Sequence, residues 1–142
     1  MQKSVWIGLM MFVLGLAWAG GNATTNFVVR MPEILWLEIN GQKTSQVPVR
    51  VENGQVSPGV LHVRVVGNTS WRLTVTATPL TGPLTLPPER LVLAGQTLSA
   101  LERTVREGVG GARFDLDLRV RLEPGEPAGP YEGLLTFMLY KL

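Results

Sequence analysis

An all-β chain, folded as an antiparallel immunoglobulin-like β-sandwich of about seven to eight strands behind an N-terminal signal peptide, is the architecture this sequence predicts. Three observations carry it. Short runs rich in Val, Leu, Ile, Thr and aromatic residues recur along the chain, Gly, Pro and Asn break them at regular spacing, and no helical period persists. The expected organisation is a signal peptide over residues 1–19, a short polar linker over 20–26 and one sandwich domain over 27–142.

The leader opens with Lys3, runs through an uncharged apolar stretch from Val5 to Ala17, and ends in the small-x-small triplet Ala17-Trp18-Ala19. A membrane-spanning helix needs about 20 apolar residues, and this stretch falls short, so cleavage after Ala19 is predicted, with retention as an anchor as the alternative. No Cys follows the apolar run, which removes a lipid-anchored form of export. The predicted location is therefore secreted or held at the cell envelope, with the membrane met only transiently during export.

The elements follow in order. Phe27 to Met31 is a strand candidate stopped by Pro32, and Ile34 to Ile39 a second, ended by the turn signal Asn40-Gly41. Val47 to Val51 precedes Asn53-Gly54 and Ser57-Pro58-Gly59. Val60 to Val66 and Ser70 to Ala77 are expected to pair as a hairpin across Gly67-Asn68-Thr69; in the second, Trp71, Leu73, Val75 and Ala77 form a dry face and Arg72, Thr74 and Thr76 a wet one. Prolines 79, 83, 87 and 88 interrupt the next stretch, leaving Arg90 to Leu93 as an edge strand or crossover. Ser99 to Arg106 is either a short helical turn, capped by Ser99 and Glu102, or a loop. From Ala112 to Glu123, Phe114, Leu116, Leu118, Val120 and Leu122 alternate without exception with charged residues, which predicts a strand central to the core. Pro124 to Pro130 makes a rigid turn, and Tyr131 to Leu139 returns with Tyr131, Gly133, Leu135, Phe137 and Leu139 on one face.

Composition and motif search point away from catalysis. The chain has no Cys, so disulfides, thiolate chemistry and Cys-based metal sites are excluded. Thirteen Lys and Arg, one of them Lys3 in the leader, stand against eleven Asp and Glu, a near balance that gives no support for nucleic-acid binding. His62 is the one histidine and reads as a solvent-facing strand residue beside Arg64. Asp115 and Asp117 share a face with Arg113 and Arg119, which reads as a charge ladder rather than as a catalytic pair. Gly108-Val109-Gly110-Gly111 lacks the strand and helix that a phosphate-binding loop requires and reads as a loop. Trp36 and Trp71 are expected to pack in the core. No cofactor and no metal are expected.

Two segments together, Trp71-Arg72-Leu73 and Tyr131 to Leu139 with the preceding Gly129-Pro130, resemble the WxL domain of bacterial surface proteins. In that family a Trp-x-Leu lies within a strand, and a Leu-Thr-Trp-x-Leu motif closes the chain after a Gly-x-Tyr turn. Here Leu135-Thr136-Phe137-Met138-Leu139 departs from the pattern, with Phe137 where the family has Trp. The closing strand is also similar to pilin-like and spore-coat-like secreted sandwiches. The resemblance implies a sandwich held noncovalently at the cell wall, with Trp71, Leu73, Tyr131, Leu135, Thr136, Phe137 and Leu139 as its motif residues. Core packing is their alternative role. The expected function is an exported, non-catalytic binding module whose partner is a cell-wall polymer or another envelope protein. The alternative is a structural subunit of a pilus or coat that assembles by edge-strand pairing, so monomer and homopolymer both stay open; an enzyme is a third reading.

Overall fold

The computed structural model describes residues 32–142. The predicted signal peptide, the linker over 20–26 and the candidate strand Phe27 to Met31 lie outside the described residues. Among the described residues twelve strands are formed: β1 (Leu35–Ile39), β2 (Gln46–Glu52), β3 (Gln55–Ser57), β4 (Val60–Gly67), β5 (Ser70–Ala77), β6 (Leu80–Thr81), β7 (Thr85–Leu86), β8 (Leu91–Leu93), β9 (Gln96–Thr97), β10 (Arg103–Val109), β11 (Ala112–Val120) and β12 (Tyr131–Lys141). They make two antiparallel sheets, one in the order β1-β4-β11-β8-β9 and one in the order β10-β5-β12-β2-β3, with the β6–β7 hairpin beside β12. The count exceeds the expected seven or eight because the proline-rich stretch still supplies β6, β7 and β9 as two-residue strands.

Alternation decides which side chains meet between the sheets. Val47, Val49 and Val51 of β2, Leu61, Val63 and Val65 of β4, Leu116 and Leu118 of β11, and Leu135 and Phe137 of β12 are all buried in one shared interior. As the unbroken period of two predicts, β11 is central in its sheet, flanked by β4 and β8. It ends at Val120, three residues short of the expected Glu123.

Pairing differs from the sequence expectation at one hairpin. Residues 60–67 and 70–77 do not pair with each other: β4 lies between β1 and β11 in the first sheet, and β5 between β10 and β12 in the second. The turn at Gly67-Asn68-Thr69 carries the chain across the sandwich. Asn40-Gly41 does the same. Both residues take positive φ, 52° and 80°, and Ile39 and Gln42 exchange hydrogen bonds, yet β1 and β2 enter different sheets. The physical reason is burial: each strand has one apolar face, and the shared interior needs that face on both sheets, so chain neighbours are divided between them.

Two further expectations are corrected. The segment 99–106 forms no helical turn. Ser99 Oγ accepts from the Leu101 amide at 3.0 Å, a local turn, and residues 103–109 then run as β10 along β5. A backbone bulge between Thr104 and Arg106 breaks the two-residue period that would have revealed a strand. Arg90 to Leu93 is no edge either, because Leu91–Leu93 sits between β11 and β9. It is joined to β9 by Ala94-Gly95, both at positive φ.

Candidate functional site

The seven motif residues lie in or beside the core. Trp71, Leu73, Tyr131, Leu135 and Phe137 are at most 1% exposed, Leu139 packs against the same cluster, and Thr136 is half-buried on the outer face of β12. Trp71 donates from Nε1 to the Gly110 carbonyl at 2.8 Å and stacks on Phe114 with ring centres 6.3 Å apart. The Arg106 guanidinium lies over the Phe114 ring, 4.2 Å from its centre. Gly108 passes under the indole, and a Cβ there would lie 2.6 Å from Trp71 Cζ2, so this position accepts no side chain.

Tyr131 opens β12 and donates its hydroxyl to the Pro127 carbonyl, four residues back, at 2.9 Å. That is a tyrosine corner, a device of immunoglobulin-like sandwiches in which a buried ring and one hydrogen bond fasten the turn before a strand. The spacing of Pro127, Gly129 and Tyr131 is the sequence signal for it. None of the five fully buried motif side chains presents surface to a ligand; of the seven, Thr136 stands on the outer face of β12.

The two outer faces differ in chemistry. On the first sheet, Glu38, Arg64 and Arg113 lie across three strands in one row, and Asn40, His62 and Asp115 in the next. His62 is exposed, as expected, and its Nδ1 is 2.8 Å from Asp115 Oδ1. That pair is made across strands rather than along one, so no spacing in the sequence marks it. Trp36 is not core: it stands on this face, donates to Glu38 at 3.1 Å, and has the Lys43 ammonium 4.7 Å above its ring. Glu38 is held below the usual carboxylate range by the hydrogen bonds from Trp36 and then Arg64.

The second sheet's outer face is mostly uncharged. Its rows run Val109, Ser70, Leu142, then Glu107, Arg72, Tyr140, then Thr104, Thr74, Met138, then Thr76, Thr136, Gln46, then Leu134 and Pro48. Charges at its ends are paired, Arg72 with Glu107 at 2.7 Å and Arg50 with Glu132 at 2.9 Å. Glu102 reaches over the centre, where it accepts from Thr74 Oγ1 at 2.7 Å and from Tyr140 at 2.6 Å. Those bonds lower the Glu102 pKa, Tyr140 first and Thr74 second, and raise that of Tyr140. They also bury Thr74, which corrects the wholly wet face expected for β5.

Of eight large hydrophobic side chains exposed among the described residues, four stand on this face: Val109, Met138, Tyr140 and Leu142. A fifth, Leu101, is 78% exposed in the loop that Glu102 fastens here. Such clustering marks an interaction surface more often than a solvated one. The alternation of β12 places Met138 outward, but nothing in the sequence shows that these residues are neighbours. Among the described residues no three His, Asp or Glu side chains converge on a cation position.

Fold and surface together define a class, an antiparallel β-sandwich with a tyrosine corner, one charged face and one apolar face. Compared with protein-family models, with curated proteins and with solved structures, the chain has no match.

Proposed function

We propose that this chain is an exported, non-catalytic module that docks at the cell envelope through the outer face of its second sheet. The carrying observation is the gathering of Leu101, Val109, Met138, Tyr140 and Leu142 around a threonine-lined centre, where the Glu102 carboxylate is engaged by Thr74 and Tyr140 and the charges at the ends are ion-paired. An apolar surface with a few oriented hydroxyl groups suits contact with a folded envelope protein or the flat faces of a wall polymer. The leader-like residues 1–19 and the WxL-like motifs support the envelope as the place.

The test is co-sedimentation of the mature protein with purified envelope fragments. Met138→Glu puts a charge in the centre of the face and is expected to abolish sedimentation. Arg119→Gln, on the opposite sheet, is expected to leave it intact. Equal sedimentation of Met138→Glu and the unaltered protein would refute this surface.

Assembly by edge-strand pairing is the second reading, and one observation favours it. β1, Leu-Trp-Leu-Glu-Ile, has a single strand neighbour among the described residues, whereas β3 and β9 are very short and β10 is charged and bulged. A concentration-dependent series of sizes in gel filtration would support that reading over the monomeric module.

A further inference from the structure

The charged face carries a feature that neither docking by the apolar sheet nor core packing explains. Arg64 and Arg113 stand directly opposite each other on β4 and β11. Like charges in that position on adjacent strands repel. Their one shared acid neighbour, Glu38, is already engaged: Arg64 holds one of its oxygens at 3.1 Å and Trp36 Nε1 the other at 3.1 Å. Arg113 makes no ion pair within 4 Å among the described residues. The next acid along β11, Asp115, is turned to His62.

The two arginines are the common wall of two adjoining surface depressions. One runs toward the strand ends and is lined by Gly67, Gly111 and Ala112, small residues that leave the floor open. The other runs toward Gly41 and His62. Lys43, over Trp36, adds a third cation to this corner of the face.

From this arrangement we infer that Arg64 and Arg113 form a binding site for a phosphate-sized oxyanion, seated between the two guanidinium groups above the Gly67–Gly111 floor. Guanidinium donors in a rigid fork suit two oxygens of one such group, and an anion there removes the repulsion that the folded chain otherwise carries. The site is on the opposite sheet from the apolar face and stands or falls apart from it.

The test is a titration of the folded protein with inorganic phosphate, followed by two-dimensional NMR at constant ionic strength set by sodium chloride. Saturable shifts are expected at residues 64, 67, 111 and 113, with the outer face of β5 and β12 unmoved. Arg113→Gln is expected to weaken the apparent affinity by about five- to tenfold, a typical loss for one charge-assisted hydrogen bond at an exposed site. Arg119→Gln removes an arginine from the same strand that faces Val92 rather than a second cation, and is expected to titrate like the unaltered protein. Inorganic polyphosphate in a second arm separates a free ion from a phosphate carried on a chain, since only a polymer gains from Lys43 as well. The inference is overturned if phosphate up to about 50 mM, far above any useful affinity, produces no saturable shift. It is equally overturned if Arg113→Gln and Arg119→Gln weaken binding alike. Thermal midpoints of both variants, expected to match the unaltered protein, show that a lost signal is not a lost fold.

Discussion

Replacing Tyr131 by Phe isolates one hydrogen bond. The ring is fully buried, and phenylalanine fills the same space, so the change is confined to the hydroxyl that donates to the Pro127 carbonyl at 2.9 Å. Removing the donor leaves a part-buried carbonyl without its partner, at a cost of about 1–3 kcal/mol. For a domain of about 110 residues that is a drop in thermal midpoint of about 4–12 °C. Urea denaturation is the better assay, because the slope should be unchanged while the midpoint falls, as expected when stability alone is altered. Tyr131→Ala should be far worse, by about 3–5 kcal/mol in total, since it also empties a core position. If Tyr131→Phe unfolds within about 1 °C of the unaltered protein, the corner carries no load and the reasoning fails. If stability is unchanged but envelope binding is lost, the hydroxyl contacts a ligand and the motif has been misassigned to the core.

Other outcomes follow from the same geometry. Gly108→Ala drives a methyl into Trp71, which is pinned by Gly110 and Phe114, and should cost about 1–3 kcal/mol in urea denaturation. Ala94→Gly should stabilise by about 0.5–1 kcal/mol, because Ala94 sits at φ 51° in the β8–β9 turn, where a Cβ is strained. Glu102 has its pKa lowered by the bonds from Tyr140 and Thr74, so its contribution is present above 4.5 and lost as pH falls through the lower folded value. Glu102→Gln should therefore flatten the fall in stability on acidification below 4.5, read as thermal midpoint against pH. Tyr140 has its pKa raised above 10.0 by the same contact, so its contribution is present below that value and lost on further alkalinisation. Tyr140→Phe should flatten both arms.

How far the sequence was legible depended on whether a signal was local. The inward rows of β11 and β12 could be named because Phe114 to Leu122 and Tyr131 to Leu139 alternate, and alternation is a property of each strand alone. Asn40-Gly41 and Asn53-Gly54 were legible as turns for the same reason. Asn53-Gly54 closes the β2–β3 hairpin, but Asn40-Gly41 joins two sheets, and nothing within four residues tells these cases apart. Pairing was therefore misread at Gly67-Asn68-Thr69, where a good hairpin loop is used as a crossing. β10 escaped detection because its bulge breaks the period and because Ser99 and Glu102, a capping pair on paper, are used in a local turn and across to Tyr140. The candidate surface was the least legible part. Leu101, Val109 and Met138 come from three segments that only the order β10-β5-β12 brings together, so no spacing along the chain records the patch.

That the outer face of the second sheet meets the envelope while the five buried motif side chains stay inside is tested most directly by hydroxyl-radical footprinting of the protein bound to envelope fragments, read residue by residue in a mass spectrometer. Protection of Leu101, Met138 and Tyr140 on binding is expected, with unchanged labelling of Trp36 and His62 on the opposite face and no labelling of Trp71 or Phe137 in either state. Protection confined to Trp36 and His62, with Met138 and Tyr140 labelled as in the free protein, would contradict it.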